Sequence, residues 1–141
     1  MAKSARTENL GGVVRGGELY RGKQGLDYTP GVSAQTVGSR ALWLGSVTLP
    51  PAGGRTKAHI HEQHESAFYM ISGEEVEVYT GEQLEHRDVA HAGDYLYFTA
   101  GMPHRPYNAS ETDPCTAVLA RTDPNEQESV VMRPELDEKV P

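Results

Sequence analysis

Residues 54–65 read Gly-Arg-Thr-Lys-Ala-His-Ile-His-Glu-Gln-His-Glu and contain three of the six histidines in this sequence of 141 residues. On a β-strand, residues i and i+2 project to the same face, so His59 and His61 can direct two imidazoles at one point in space. Imidazole together with carboxylate oxygen suits one divalent transition metal, namely Fe, Mn, Ni, Co, Cu or Zn. A single His-x-His pair can also lie on an exposed strand and bind nothing, so its context decides.

A second segment with related spacing lies downstream. Residues 93–108 read Gly-Asp-Tyr-Leu-Tyr-Phe-Thr-Ala-Gly-Met-Pro-His-Arg-Pro-Tyr-Asn, a strand-like run between glycine turns that leads to His104 and Asn108. Together, residues 54–73 and 93–108 resemble the two conserved motifs of the cupin superfamily. The first of these is a glycine, five residues, His-x-His, three or four residues and a glutamate, followed by a strand and a glycine turn. Two motifs in the family's order are more specific than either alone.

The resemblance implies an all-β fold, the double-stranded β-helix or jelly-roll barrel. It also implies that one divalent metal binds at the barrel mouth. The implied ligands are His59, His61, a carboxylate of motif one, and His104.

The identity of the fourth ligand stays open. Seven residues separate Glu65 from Gly73 where the family usually has six, which places Ser66 in the ligand position. By strand alternation Ser66 shares its face with His64, so either a bulge turns Glu65 inward or His64 takes the site. The spacing from His61 favours Glu65, and the alternation favours His64. A second departure, Thr99 in place of the usual proline, falls in a surface turn.

The pattern of apolar residues independently predicts an all-β chain. Runs rich in β-branched and aromatic residues are bounded by Gly, Pro, Asp or Ser, as in a sandwich or barrel. Ser72-Gly73 reads as a hairpin turn between two of them. The predicted strands cover residues 40–49, 57–61, 66–71, 75–80, 95–98 and 116–120.

The sequence predicts a single domain with irregular termini. The barrel is expected over residues 18–121, between a polar, glycine-bearing segment at 1–17 and an acidic, proline-containing segment at 122–141. We expect both end segments to lie on the surface or over a partner subunit, and we assign no chemistry to either.

Composition excludes several classes of partner. The formal charge of −7 disfavours nucleic acid and anionic membranes, and the apolar runs are too short to span a bilayer. The single cysteine, Cys115, excludes an internal disulfide and an all-cysteine zinc site. With no recognisable leader at the start, we expect a cytoplasmic protein.

The other candidate side chains are interpreted mainly as core, surface or turn residues. We expect the aromatic and methionine residues of the strands to be mostly core and less often the lining of a substrate pocket. His86 and His91 are expected on a solvated hairpin, and Arg105 and Arg121 are weaker candidates for contacting an anionic substrate. Asn108 could orient a ligand or cap a turn. The core residues in question are Trp43, Tyr69, Met70, Tyr95, Tyr97 and Phe98.

The sequence leaves three hypotheses for function. The first is a metal-dependent dioxygenase or related lyase acting on a small enolisable or aromatic molecule, because three or four protein ligands leave coordination positions open. The second is a metal-bound small-molecule binding or sensor protein without turnover. The third is a sugar-phosphate isomerase or epimerase, which needs a basic pocket. Because an open jelly roll leaves strand edges uncovered, we also expect a homodimer.

Overall fold

The structure is a computed structural model that describes residues 11–141, so most of the predicted segment 1–17 lies outside the described residues. The described part is built almost entirely of short strands. They are β1 (Tyr20–Arg21), β2 (Asp27–Val32), β3 (Trp43–Leu49), β4 (Gly54–Arg55), β5 (His59–Ile60), β6 (Ser66–Ser72), β7 (Val76–Thr80), β8 (His86–Ala90), β9 (Tyr95–Phe98), β10 (His104–Asn108), β11 (Cys115–Arg121) and β12 (Val131–Met132). A helical turn, α1 (Ala34–Val37), and a 3-10 helix (Pro134–Leu136) complete it.

These strands form two antiparallel sheets in the described residues. One has the order β1-β2-β3-β11-β6-β9, and the other has the order β12-β5-β10-β7-β8, with β4 also paired to β10. Consecutive strands β6 and β7 belong to different sheets, so the chain crosses between the layers. This confirms the predicted jelly-roll fold.

The core lies between the two sheets and follows the strand period of two. Along β11, Cys115, Ala117, Leu119 and Arg121 are buried, and the residues between them are more exposed. Burial of the apolar side chains from both layers supplies the main driving force for this arrangement. The cluster includes Leu26, Tyr28, Trp43, Met70, Val78 and Phe98.

The expectation that strand aromatics are mostly core is wrong for three tyrosines. Trp43, Met70 and Phe98 are buried, but Tyr69, Tyr95 and Tyr97 are 42%, 77% and 60% exposed. The register pairs Tyr69 with Tyr95 and Ala67 with Tyr97. These side chains therefore point outward and form an aromatic outer face on the first sheet.

All six predicted strands are present, with ends shifted by a few residues. The longer strands β2, β8 and β10 and the two-residue strands β1, β4 and β12 were missed. Pro30 and Gly31 inside β2 look like strand breakers, yet the pairing with β3 shifts register between Pro30 and Val32 and so accommodates them. β8 begins with three successive polar, exposed residues, so it lacks the alternation that marks a half-buried strand.

Ser72-Gly73 was predicted as a hairpin turn, and this is wrong. Gly73 lies where the chain leaves the first sheet, with φ at +114°, and a Cβ here would collide with Cys115. Glycine is therefore required both for the backbone conformation and for the close approach to β11.

The segment after β11 packs against the barrel. Leu136 is fully buried beside Ala58, Tyr79 and Leu84. The Ala58 backbone N–H donates to Asp137 Oδ1 at 2.8 Å, so this segment braces the residue next to His59. None of the helices in residues 11–141 has the length and apolar character needed to cross a bilayer.

Candidate metal centre

Three imidazoles converge inside the barrel. His59, His61 and His104 are 2%, 4% and 3% exposed, and one potential ligand atom from each lies within 4.8 Å of the others. Their ring centroids are 4.8 Å apart for His59 and His61, 4.4 Å for His59 and His104, and 4.9 Å for His61 and His104. The structure thus brings together side chains from both sequence motifs.

Strand pairing places these residues together. His59 of β5 lies directly opposite His104 of β10, and the pairing is antiparallel. His61 follows β5, where its carbonyl oxygen accepts the Gly101 N–H at 2.7 Å and ties the two motifs together. Phe98 stacks flat on His104 at 4.1 Å between centroids, which limits rotation of that ring.

Two of the rings are held in a defined orientation by backbone carbonyls. His59 Nδ1 lies 2.6 Å from the Lys57 carbonyl oxygen, and His104 Nδ1 lies 2.9 Å from that of Met102. A carbonyl can only accept, so each Nδ1 carries the proton and donates it. Each Nε2 is then left with a lone pair, the state that a metal-ligating histidine requires.

The electrostatics of the site favour neutral imidazoles. Burial and the neighbouring His61 lower the pKa of His59 to about 4. Burial, together with His59 and His61, also lowers the pKa of His104 well below its ordinary value. Both rings therefore remain unprotonated at neutral pH and can act as metal ligands without losing a proton first.

The structure separates the two candidates for the fourth ligand. His64 is buried, Glu65 is exposed, and Ser66 is buried, so the alternation continues without a bulge at this point. Ser66 lines the central cavity, whereas the Glu65 backbone N–H donates to Thr122 Oγ1 at 3.1 Å. His64 does not join the three converging imidazoles directly; it lies next to His61, with 4.5 Å between centroids.

A residue not anticipated from the sequence, Glu128, completes this cluster. It comes from the segment 122–141, to which the sequence had given no chemistry, and it is 4% exposed. Glu128 Oε1 lies 2.9 Å from His64 Nε2 and 3.0 Å from His61 Nδ1. His61, His64 and Glu128 thus form a second group with the spacing of metal ligands, sharing His61 with the first.

Arg121 provides the countercharge for this carboxylate. Its Nη1 lies 3.0 Å from Glu128 Oε2, and its guanidinium stacks over Trp43 at 4.1 Å. Burial alone would raise the pKa of Glu128, but the His61 and His64 imidazoles and the Arg121 guanidinium hold that pKa well below its usual range. The carboxylate is therefore ionised, and Arg121 is engaged with it.

Below the histidines lies a small cavity with a volume of about 40 Å³. Its walls are mainly apolar, with Leu26, Tyr28, Met70 and Leu119 among them. Its polar lining comes from the three histidines together with Gln24, Thr56, Ser66 and Glu128. No arginine or lysine among residues 11–141 lines it. The cavity therefore suits a small molecule with one polar end directed at the histidines.

The remaining sequence candidates lie away from this centre. His86 and His91 are exposed on the β7–β8 side, as expected. Asn108 caps a turn, donating to the carbonyl oxygens of Leu49, Pro50 and Asp113. Arg105 is bound to Asp137 outside the cavity.

The donor set fits a divalent transition metal. Three buried imidazoles, of which His59 and His104 are neutral and oriented by carbonyls, are typical ligands for Fe, Mn, Co, Ni, Cu or Zn. His61 Nδ1 is buried and makes no hydrogen bond, although Glu128 Oε1 lies 3.0 Å away.

Comparison with known proteins agrees with this architecture. The family model described as the cupin domain matches residues 45–120. No curated protein was found to match the chain.

Several solved structures share the fold at low sequence identity. A conserved protein with a double-stranded β-helix domain from Klebsiella pneumoniae is 19% identical, with 82% of this chain and 84% of that chain covered and a TM-score of 0.60. An oxalate decarboxylase from Lactobacillus farciminis is 20% identical, with coverages of 88% and 36% and a TM-score of 0.65. A DMSP lyase from Ruegeria pomeroyi is 21% identical, with coverages of 67% and 44% and a TM-score of 0.53. The chain spans about a third of the decarboxylase, and at these identities the likeness shows the fold alone.

Proposed function

The chain belongs to the cupin domain family, and from this premise we propose that it binds one divalent transition metal on His59, His61 and His104. We propose further that it acts on a small oxygenated molecule as a dioxygenase or related lyase. The observation that carries the proposal is the convergence of three buried imidazoles, two of which present Nε2 because Nδ1 is bound to a carbonyl. When bound, such a metal supplies Lewis-acid or one-electron chemistry to a molecule in the cavity.

The position of the site supports a reactive centre over a structural one. The ligating side chains belong to the barrel interior and face a cavity, whereas a structural metal is usually enclosed by four protein ligands. No carboxylate in residues 11–141 joins His59, His61 and His104 in one compact group, so three protein ligands leave positions open. We therefore assign neither Glu65 nor His64 as a direct ligand.

The cavity supports a narrower substrate class than the sequence did. About 40 Å³ is well below the roughly 150 Å³ of an engineered cavity that holds benzene. Small carbonyl or carboxylic compounds of a few heavy atoms are favoured over aromatic rings. Solved structures with this fold include proteins named as oxalate oxidase, oxalate decarboxylase and DMSP lyase, which act on small molecules.

A sugar-phosphate isomerase is disfavoured because no arginine or lysine of residues 11–141 lines this cavity. One structural neighbour is named as a sugar phosphate isomerase, but a phosphate needs cationic or amide donors at the reacting end of the pocket. Of the four basic candidates in the sequence, Arg121 is committed to Glu128, and Arg105 lies outside with Asp137. Arg55 and Lys57 do not line the cavity at the histidines.

Metal analysis followed by a reaction screen tests the proposal. We expect one Fe(II) or other divalent ion per chain, and oxygen uptake or product formation with small oxo-acids and enols. His61→Ala should lose most of the metal and remain folded, and the matched control His91→Ala, which changes an exposed histidine, should keep it. Saturable binding of such a compound without turnover would instead support the binding or sensor function. Stoichiometric metal in His61→Ala would reject the assignment of the site.

We also propose a homodimer formed through the aromatic outer face of the first sheet. Tyr69, Tyr95 and Tyr97 lie there with the exposed Leu44 and Ile71. An apolar sheet face bordered by the open edge of β9 suits a second copy of the same chain.

A further inference from the structure

We propose that Glu128 is a positioning residue of the metal centre: its carboxylate holds the His61 imidazole in its ligating orientation without binding the metal itself. This inference rests on the proposed metal function. It gives a role to the segment that follows the barrel, and it concerns a residue outside the range 45–120 that matches the family.

The need for such a residue comes from a difference among the three histidines. His59 and His104 are oriented by carbonyl oxygens of Lys57 and Met102, each two residues earlier in the chain. His61 has no such carbonyl; its buried Nδ1 faces Glu128 Oε1 at 3.0 Å. A metal-ligating histidine almost always donates its second N–H to a carbonyl or a carboxylate, and the 3.0 Å approach places Glu128 to be that carboxylate.

Glu128 is itself held at both oxygens. Oε1 is 2.9 Å from His64 Nε2, and Oε2 is 2.8 Å from Gln24 Nε2 and 3.0 Å from Arg121 Nη1. Gln24, His64 and Arg121 are all buried. Two hydrogen bonds, from Gln24 and His64, and the ion pair with Arg121 give this carboxylate a defined direction, which is the property that a positioning group requires.

The same contacts argue against Glu128 as a metal ligand. A cation on this carboxylate would lie close to the buried Arg121 guanidinium, and two like charges at that range repel strongly where water is excluded. Glu128 also does not join His59 and His104 in one group of atoms within 4.8 Å.

The segment that carries Glu128 is itself placed by specific contacts. Arg121 Nη2 donates to the carbonyl oxygens of Asn125 and Glu126 at 2.7 and 3.1 Å. The Ser129 N–H donates to Asp123 Oδ2 at 3.0 Å. This hydrogen bond joins the residues on either side of Glu128 and closes the loop that carries it. The last residue of β11 therefore organises the loop that returns Glu128 to the barrel mouth.

Co(II) binding to the purified full chain tests the inference, with Glu128→Gln as the variant and Glu135→Gln as the control. Glu135 belongs to the same segment but is exposed and contacts Arg133. We expect Glu128→Gln to bind Co(II) about 10- to 100-fold more weakly, with one ion still bound at saturation, and the control to match the wild type. In the NMR spectrum of the Co(II) protein, the exchangeable, paramagnetically shifted N–H signal of His61 should move in Glu128→Gln, and those of His59 and His104 should stay.

Glu128→Gln leaves the buried Arg121 without its countercharge, which destabilises the fold. Glu128→Asp is therefore the second variant, and it keeps the inference testable if Glu128→Gln does not fold. The aspartate keeps the charge but shortens the reach, so it should fold, weaken Co(II) binding and shift the His61 signal. Unchanged affinity and an unchanged His61 signal in a folded variant would overturn the inference. A lower coordination number in the X-ray absorption spectrum of Glu128→Gln would also overturn it, because Glu128 would then be a ligand. A wild-type chain that binds no Co(II) would reject the proposed function and this inference together.

Discussion

The three histidines of this centre differ in how far along the chain the group that orients each ring lies. His59 and His104 each donate to a carbonyl oxygen two residues earlier, so their local sequence determines ring orientation. His61 depends on Glu128, which is distant in sequence. Spacing and family motifs could therefore predict that His59, His61 and His104 lie together, whereas nothing adjacent to them indicates Glu128.

One residue did carry a signal for the missing carboxylate. Arg121 lies on the same alternating face of β11 as Ala117 and Leu119, which places it in the barrel interior. An arginine at an interior position requires a partner of opposite charge, because an isolated buried charge is strongly unfavourable. That requirement indicates an internal carboxylate, but the sequence does not say which of the many Asp and Glu residues supplies it.

At the residue level we predict that the metal-free protein loses stability on acidification. The pKa of His59 is about 4 in the folded state against an ordinary value of 6.5, so between these pH values the unfolded chain binds a proton that the folded chain does not. The free energy of unfolding should therefore fall as the pH drops from 6.5 to 4, by up to about 3 kcal/mol from His59, and His104 acts in the same direction. The Glu128 carboxylate adds to this loss once the pH falls into the ordinary carboxyl range, because its pKa is lowered and the unfolded chain then binds a proton that the folded chain does not.

Urea unfolding of the metal-free chain at a series of pH values measures this effect. The variant His59→Gln should show a smaller slope between pH 6.5 and 4.5, with His86→Gln, an exposed histidine, as its control. A free energy of unfolding that stays constant across this range would contradict the buried, neutral state of the imidazoles.

At the level of elements, strand alternation predicted the outward position of Glu65 better than the spacing of the family motif did. His64, Glu65 and Ser66 keep a strict period of two, so Glu65 remains outside although its spacing from His61 matches the motif. The strand β2 and the crossover at Gly73 could not be predicted, because Pro30-Gly31 and Ser72-Gly73 have the composition of turns. Their actual roles depend on pairing with β3 and on contact with β11, which are long-range.

The 3-10 helix at Pro134–Leu136 gives a prediction at this level. Leu136 is fully buried against Ala58, Tyr79 and Leu84, so Leu136→Ala should lower the free energy of unfolding by about 2–5 kcal/mol. Since Asp137 next to it accepts the Ala58 N–H, the variant should also bind metal more weakly. Denaturant unfolding and Co(II) titration measure the two effects, and Val131→Ala, at an exposed position, is the control. Stability equal to the wild type would show that the helix does not belong to the folded core.

At the level of the whole molecule, the two sheets have different outer surfaces. The first sheet carries rows of outward residues in which Tyr97, Ala67, Ala120 and Leu44 are successive neighbours across four strands. Tyr95 and Tyr69 begin the next row. A monomer seldom exposes a contiguous apolar surface of this kind, so the face is well suited to a subunit interface.

The proposed homodimer can be tested on this face without disturbing the metal centre. Light scattering should give twice the chain mass of 15.4 kDa for the wild type and the single chain mass for a Tyr95→Lys, Tyr97→Lys double variant, because two ammonium groups would be desolvated at the interface. The side chains of Tyr95 and Tyr97 are largely exposed, so the variant should keep its fold and its bound metal. Val131→Lys, on the second sheet, should remain dimeric. A wild-type monomer would exclude the dimer, and a dimeric double variant would move the interface to another surface of the barrel.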